Sequence, residues 1–132
     1  MNKNSAFDHP YDTALSSGLR FLAELFEWAA CAWAAAQVSP WLAILVLVIL
    51  IGLPTVFSTP GDKNQYIVAT PGPFRVLLEL AVHAVGVACV WVVWPVWLAI
   101  IVSIIVLVAI LIGLPRTRWL LLGAPGDLDE QN

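Results

Sequence analysis

The sequence predicts an all-α integral membrane protein, a four-helix bundle made of two parallel tandem helical-hairpin repeats. Three observations predict it. The 132 residues are 61% hydrophobic and only 11% charged, with a mean hydropathy of +0.88, whereas soluble domains average roughly 45–50% and 25%. Apolar runs long enough to span a bilayer alternate with breaks marked by Pro and Gly. The chain also repeats itself, with matched segments in the same order in each half. Arg20 matches Arg75 and Glu24 matches Glu79. Trp41-Leu42-Ala43-Ile44 matches Trp97-Leu98-Ala99-Ile100, Gly52-Leu53-Pro54 matches Gly113-Leu114-Pro115, and Pro60-Gly61-Asp62 matches Pro125-Gly126-Asp127.

The first span is predicted from about Ala14 to Gln37, with Asp12 or Thr13 and then Ser16 or Ser17 as candidate helix caps. Its alanines from Ala29 to Ala36 let neighbouring helices approach closely, which places it inside the bundle. Gln37-Val38-Ser39-Pro40 breaks the chain. A second span then runs from Trp41 to Leu53, extended by Pro54 to Phe57. Residues 58–73 carry Pro60-Gly61-Asp62 and Pro71-Gly72-Pro73, a loop composition. The third span is predicted from Phe74 to about Trp94, where Pro95 forces a tight turn, and the fourth from Val96 to Leu114. Arg116, Arg118 and Trp119 then read as an interfacial anchor. The first and third helices should be interior, the second and fourth more exposed to lipid. The whole chain is expected to be one membrane domain, with repeats at about 14–62 and 73–127.

All six cations, Lys3, Arg20, Lys63, Arg75, Arg116 and Arg118, avoid the two short turns. By the positive-inside rule a multi-pass protein of the cell membrane is expected, with both termini and the central loop cytoplasmic and the turns at Ser39-Pro40 and Trp94-Pro95 outside. Trp33, Trp41, Trp91, Trp94 and Trp97 gather near those turns, where indoles favour the interface. Because each half begins and ends on one side, the repeats are parallel rather than inverted.

The matched segments Leu19-Arg20-Phe21-Leu22-Ala23-Glu24-Leu25 and Phe74-Arg75-Val76-Leu77-Leu78-Glu79-Leu80, with the proline-bearing loop between them, resemble the YrdB-like small membrane proteins. The resemblance covers roughly Gly18 to Leu122. It implies a four-helix membrane fold and supplies no activity. Glu27 and His83 depart from the repeat, standing opposite Val82 and Trp28 in the alignment.

The candidate site is the set of intramembrane polar residues Arg20, Glu24, Glu27, Arg75, Glu79 and His83. Arg75, Glu79 and His83 are four apart and so share one helix face. At ~1.5 Å per residue His83 comes near the middle of a ~30 Å core. Ionisable groups at that depth are costly and mark either mutual pairing or a functional pathway.

The leading function is non-enzymatic, a binding or accessory subunit of a membrane complex. The alternatives are a small carrier or pore working through the Arg/Glu/His face, and a redox protein holding quinone or metal. The histidine count argues against a di-iron site, since such bundles supply two Glu-x-x-His pairs, and no metal ligands or catalytic residues are assigned. The expected partners are the lipid bilayer, other membrane subunits or further copies of the chain. With a net charge of −3, no nucleic acid is expected. Cys31 and Cys89 occupy unmatched repeat positions and read as small packing residues.

Overall fold

The computed structural model describes residue 11, residues 13–59, residue 62 and residues 67–123. Among them the fold is all-helical apart from one two-residue strand pair: α1 Ala14–Ala36, α2 Pro40–Val56, β1 Phe57–Ser58, β2 Val68–Ala69, α3 Gly72–Val93, α4 Val96–Ile112 and α5 Leu114–Leu121.

Thr13 starts α1 with a reciprocal capping box. Its hydroxyl accepts the Ser16 amide at 3.1 Å and its own amide donates to Ser16 Oγ at 2.8 Å, satisfying two N–H groups that the first turn leaves open. Of the other expected caps, Asp12 lies outside the described residues, and Ser16 and Ser17 lie within the helix instead. Ser39 caps α2 by accepting the Trp41 amide at 3.3 Å, with Pro40 in the first turn, where its fixed φ and missing N–H cost nothing. Trp94 and Pro95 stop α3, and α4 follows at once.

The expected second span ends in a proline inside the helix. Pro54 has no N–H for the carbonyl of Leu50, and α2 gives way three residues later to β1, which pairs in parallel with β2 through Phe57 opposite Val68 and Ser58 opposite Ala69. This strand pair was not expected. It ties the end of α2 to the approach to α3. A second difference lies after Gly113. The segment expected to be an interfacial anchor is a further helix, α5, bent by 58° from α4. Gly113 ends one helix and Pro115 begins the next.

The core is built from small side chains. Ala23 and Ala30 of α1 meet Val90 of α3 and Ala99, Val102, Val106 and Ala109 of α4. The α4 residues recur at helical spacing, so this helix buries one full stripe and is less peripheral than expected. A second cluster joins Cys31, Leu50 and Val82. Leu50 is the one buried residue of α2, while Ile44, Leu45, Val48 and Ile49 are exposed. On α4, Ile100, Ile101, Ile104 and Leu107 also face outward. Ser103, the polar residue of that helix, accepts a hydrogen bond from Trp91 Nε1 at 2.9 Å.

By length and composition, α3 is the one helix among the described residues fit to cross a membrane, with the bent pair α4 and α5 as a second candidate. The 17-residue α2 and α4 reach about 26 Å each at ~1.5 Å per residue, the short end of the range for a ~30 Å core. α1 is long enough at 23 residues but carries Arg20, Glu24 and Glu27 through its middle.

Candidate functional site: an arginine clasp below a buried histidine–glutamate pair

Two polar layers are stacked in the bundle, one at the end opposite the short turns and one at mid-helix. The lower layer is a clasp of two buried arginines. Arg75, in the first turns of α3, donates from Nε to Glu79 Oε1 at 3.0 Å. Its Nη1 donates to the carbonyls of Pro54 at 2.5 Å and Phe57 at 2.7 Å. These carbonyls are exposed to capture because Pro54 and the strand pair end α2 there. One guanidinium therefore joins α2, β1 and α3.

Arg116, expected at the interface beside Trp119, is instead buried, with 3% of its surface exposed. It grips two carboxylates at once. Nε and Nη2 donate to Asp62 Oδ1 and Oδ2 at 2.7 and 2.6 Å, while Nη1 and Nη2 donate to Glu79 Oε2 and Oε1 at 3.1 and 2.9 Å. Only a planar guanidinium has the fork geometry for this. Burial alone pushes the Arg116 pKa down, but the hydrogen bonds and charges of Asp62 and Glu79 outweigh it and hold the group above its ordinary value. It is charged wherever the protein is folded. The bend between α4 and α5 puts Arg116 there. Gly72 makes the contact possible, because a side chain at that position would collide with the backbone of Leu120 in α5. Arg118 stays exposed, and Trp119 is half-buried and stacks on Tyr11 with ring centroids 6.2 Å apart.

The upper layer joins the two residues that break the repeat. His83 Nδ1 lies 2.7 Å from Glu27 Oε1, and Glu27 is fully buried. The nearest carboxylate to His83 is therefore on α1, not Glu79 one turn away on its own helix. Gly86 provides the room, since a Cβ at this position would overlap the Glu27 side chain. Glu27 Oε2 has no hydrogen-bond partner among the described residues.

Of the two expected pairs at i,i+4 spacing, the one on α3 closes directly. On α1, Glu24 is within electrostatic range of Arg20, His83, Glu79 and Glu27, and Arg20 acts on Glu79. All six candidate residues thus belong to one electrostatic cluster. Arg20 also lines a cavity of about 50 Å³ with Ser16, Glu79, His83, Arg116 and Thr117, closed by apolar side chains including Val76, Leu80 and Ile110. Among the described residues no three His, Cys, Asp or Glu side chains converge closely enough to hold a metal ion.

Sequence reasoning missed Arg116 and Asp62. A signal for Asp62 was present in the Pro60-Gly61-Asp62 match to Pro125-Gly126-Asp127, a repeated acid in a loop. Pro60, Gly61 and residues 125–127 lie outside the described residues. Nothing in the local sequence distinguishes Arg116 from Arg118. Their fates diverge only because one faces α3 across the bend.

No curated protein and no solved structure matches the chain. A family model does. It is described as a protein of unknown function, DUF2568, and it matches residues 18–107, a stretch that takes in most of α1, all of α2 and α3 and most of α4, with all six candidate residues, and stops before Arg116. Since that stretch is well over half of the 132 residues, the chain belongs to the DUF2568 family.

Proposed function

We propose that the protein is a multi-pass integral membrane protein whose role is non-enzymatic, as a binding or accessory subunit of a membrane complex. In this reading α1 to α4 each cross the bilayer, both termini and the clasp are cytoplasmic, and the short turns with their tryptophans are outside. The resemblance to YrdB-like proteins and the matched positions of the two halves support it. The Trp-Leu-Ala-Ile segments open α2 and α4, and the Gly-Leu-Pro segments fall at the end of α2 and at the α4–α5 break.

The single observation that carries the reading is that the clasp is satisfied by its own members. Both oxygens of Glu79 and both of Asp62 are held by guanidinium groups, as expected of charges that fix helix positions rather than of a site waiting for substrate. The cavity beside it, at about 50 Å³, is far below the ~300 Å³ at which pockets for organic ligands begin. The outer faces of α2 and α4 expose apolar side chains such as Ile44, Val48, Ile104 and Leu107 that a membrane partner could cover. Mild-detergent purification from native membranes after cross-linking tests the proposal. A membrane protein retained in fixed ratio is expected, and a chain recovered alone from every mild detergent overturns it.

A small carrier is the second reading, favoured by one observation: His83 borders the cavity rather than being wholly enclosed. Flux of protons or small ions in liposomes, lost in His83→Gln, is its signature.

A further inference from the structure

The Glu27–His83 pair makes no hydrogen bond to the clasp residues. We propose that this pair is a proton-binding site, reached from the clasp end of the bundle through a water-filled inlet. The inference goes beyond the accessory role above and stands or falls separately from it.

The size and lining of the cavity define the inlet. A water needs ~10–15 Å³ of such space and two to four polar partners. At about 50 Å³, the cavity takes a short file of waters and nothing larger. Ser16, Thr117, Arg20, Glu79 and Arg116 supply the partners along its walls. His83 borders the same space, and with Nδ1 engaged by Glu27, Nε2 is the ring nitrogen left to exchange a proton with it.

Beyond the pair the path closes. Between Glu27 and the short turn α1 continues with Ala30, Cys31 and Ala35 buried, and α3 continues with Gly86 and Val90 buried. Neither segment carries a charged residue. The cavity that His83 borders lies on the clasp side, and access from that end alone is part of the proposal.

The carboxylate points the same way. Glu79 and Asp62 show how this fold treats a carboxylate used only for structure, with every oxygen hydrogen-bonded. Glu27 is more deeply buried than either, yet its Oε2 has no partner among the described residues, an exception that calls for a role. Gly86 forgoes a side chain so that Glu27 can lie against α3.

The transfer balances without any other reactant. In the resting form Nδ1–H of neutral His83 donates to the Glu27 carboxylate. A proton from the inlet binds Nε2, and the Nδ1 proton passes to Oε1. The products are His83 carrying its proton on Nε2 and a neutral Glu27 carboxylic acid, so one proton leaves the water and one negative charge leaves the interior. The titratable and charged groups around the pair are Glu24, Arg20 and Cys31 from α1, Glu79 and Arg75 from α3, and Arg116 from α5. The segments forming α2 and α4 contain none.

Infrared difference spectra of the full chain in liposomes, recorded between about pH 5 and pH 8, the range in which histidine exchanges its proton, test this. The carbonyl band of one protonated carboxylic acid is expected to appear on acidification and to vanish in both Glu27→Gln and His83→Gln. It should persist in Glu24→Gln and respond only to pH on the clasp side. A wild-type spectrum without that band overturns the proposal, as does a band unaffected by Glu27→Gln or one that follows the pH on the turn side. Should Glu27→Gln fail to fold, nitrogen-15 spectra of the wild-type His83 ring decide the matter, and a ring invariant across the same range overturns the proposal.

Discussion

The backbone carbonyl of Leu120 occupies the space where a side chain at Gly72 would begin. Through that contact the last described helix rests on the first turn of α3, and Leu120 itself is fully buried. Gly72→Ala should therefore push α5 away and weaken both Arg116 ion pairs. Overpacking of this kind costs about 1–3 kcal/mol, read as a lower melting temperature in detergent. Gly18→Ala, where nothing lies within reach of a new Cβ, should leave stability unchanged or slightly raised.

The clasp predicts an unusual mutant cycle. An isolated buried ion pair, as the i,i+4 spacing of Arg75 and Glu79 suggests, costs about 3–5 kcal/mol when one partner is lost and much less when both are replaced by apolar residues. Here each partner has other obligations. Arg75 serves the Pro54 and Phe57 carbonyls, and Glu79 serves Arg116. Arg75→Met combined with Glu79→Leu should therefore recover little of the loss seen in either single variant. Thermal unfolding of the three variants measures the coupling, and near-complete recovery in the double variant would show that the outer bonds are energetically idle.

Gly86→Ala should separate the upper layer from the lower. The new Cβ overlaps Glu27, so the 2.7 Å bond to His83 should break while the Arg116 bonds survive. A stability loss of about 1–3 kcal/mol is expected from the overpacking, together with a changed His83 ring spectrum. An unaltered ring would mean that Glu27 has another place to go.

The membrane orientation predicts that cysteines introduced at Ser39 and Arg118, in a background with Cys31 and Cys89 replaced by alanine, label with an impermeant reagent from opposite faces, Ser39 from outside. Ser39 lies in the turn after α1, and Arg118 is exposed on α5. Labelling of both from one face removes the four-span arrangement.

Helix positions were legible in the sequence because local chemistry decides them. Thr13, Ser39-Pro40 and Trp94-Pro95 are caps and stops that act within a few residues, and the observed ends fall within two residues of the expected ones for α1, α3 and α4. The layout of α5 was not legible, because Gly113-Leu114-Pro115 signals a break but not the angle at which the chain resumes. The site was legible by residue type more than by partner. Depth and charge single out Glu27 and His83, but no spacing rule joins residues on different helices 56 positions apart. Arg116 and Asp62 escaped for the same reason, since their contact depends on a bend and a loop.

The order in which the chain is synthesised gives the clasp a temporal character. Glu79 leaves the ribosome 37 residues ahead of Arg116, so α3 must enter its environment with Arg75 as the partner then at hand. Arg116 arrives last, after α4 is complete, and its capture by Glu79 and Asp62 draws α5 onto Gly72. The clasp is in this sense a late latch, since its Arg116 bonds cannot form before the last of these helices has been made.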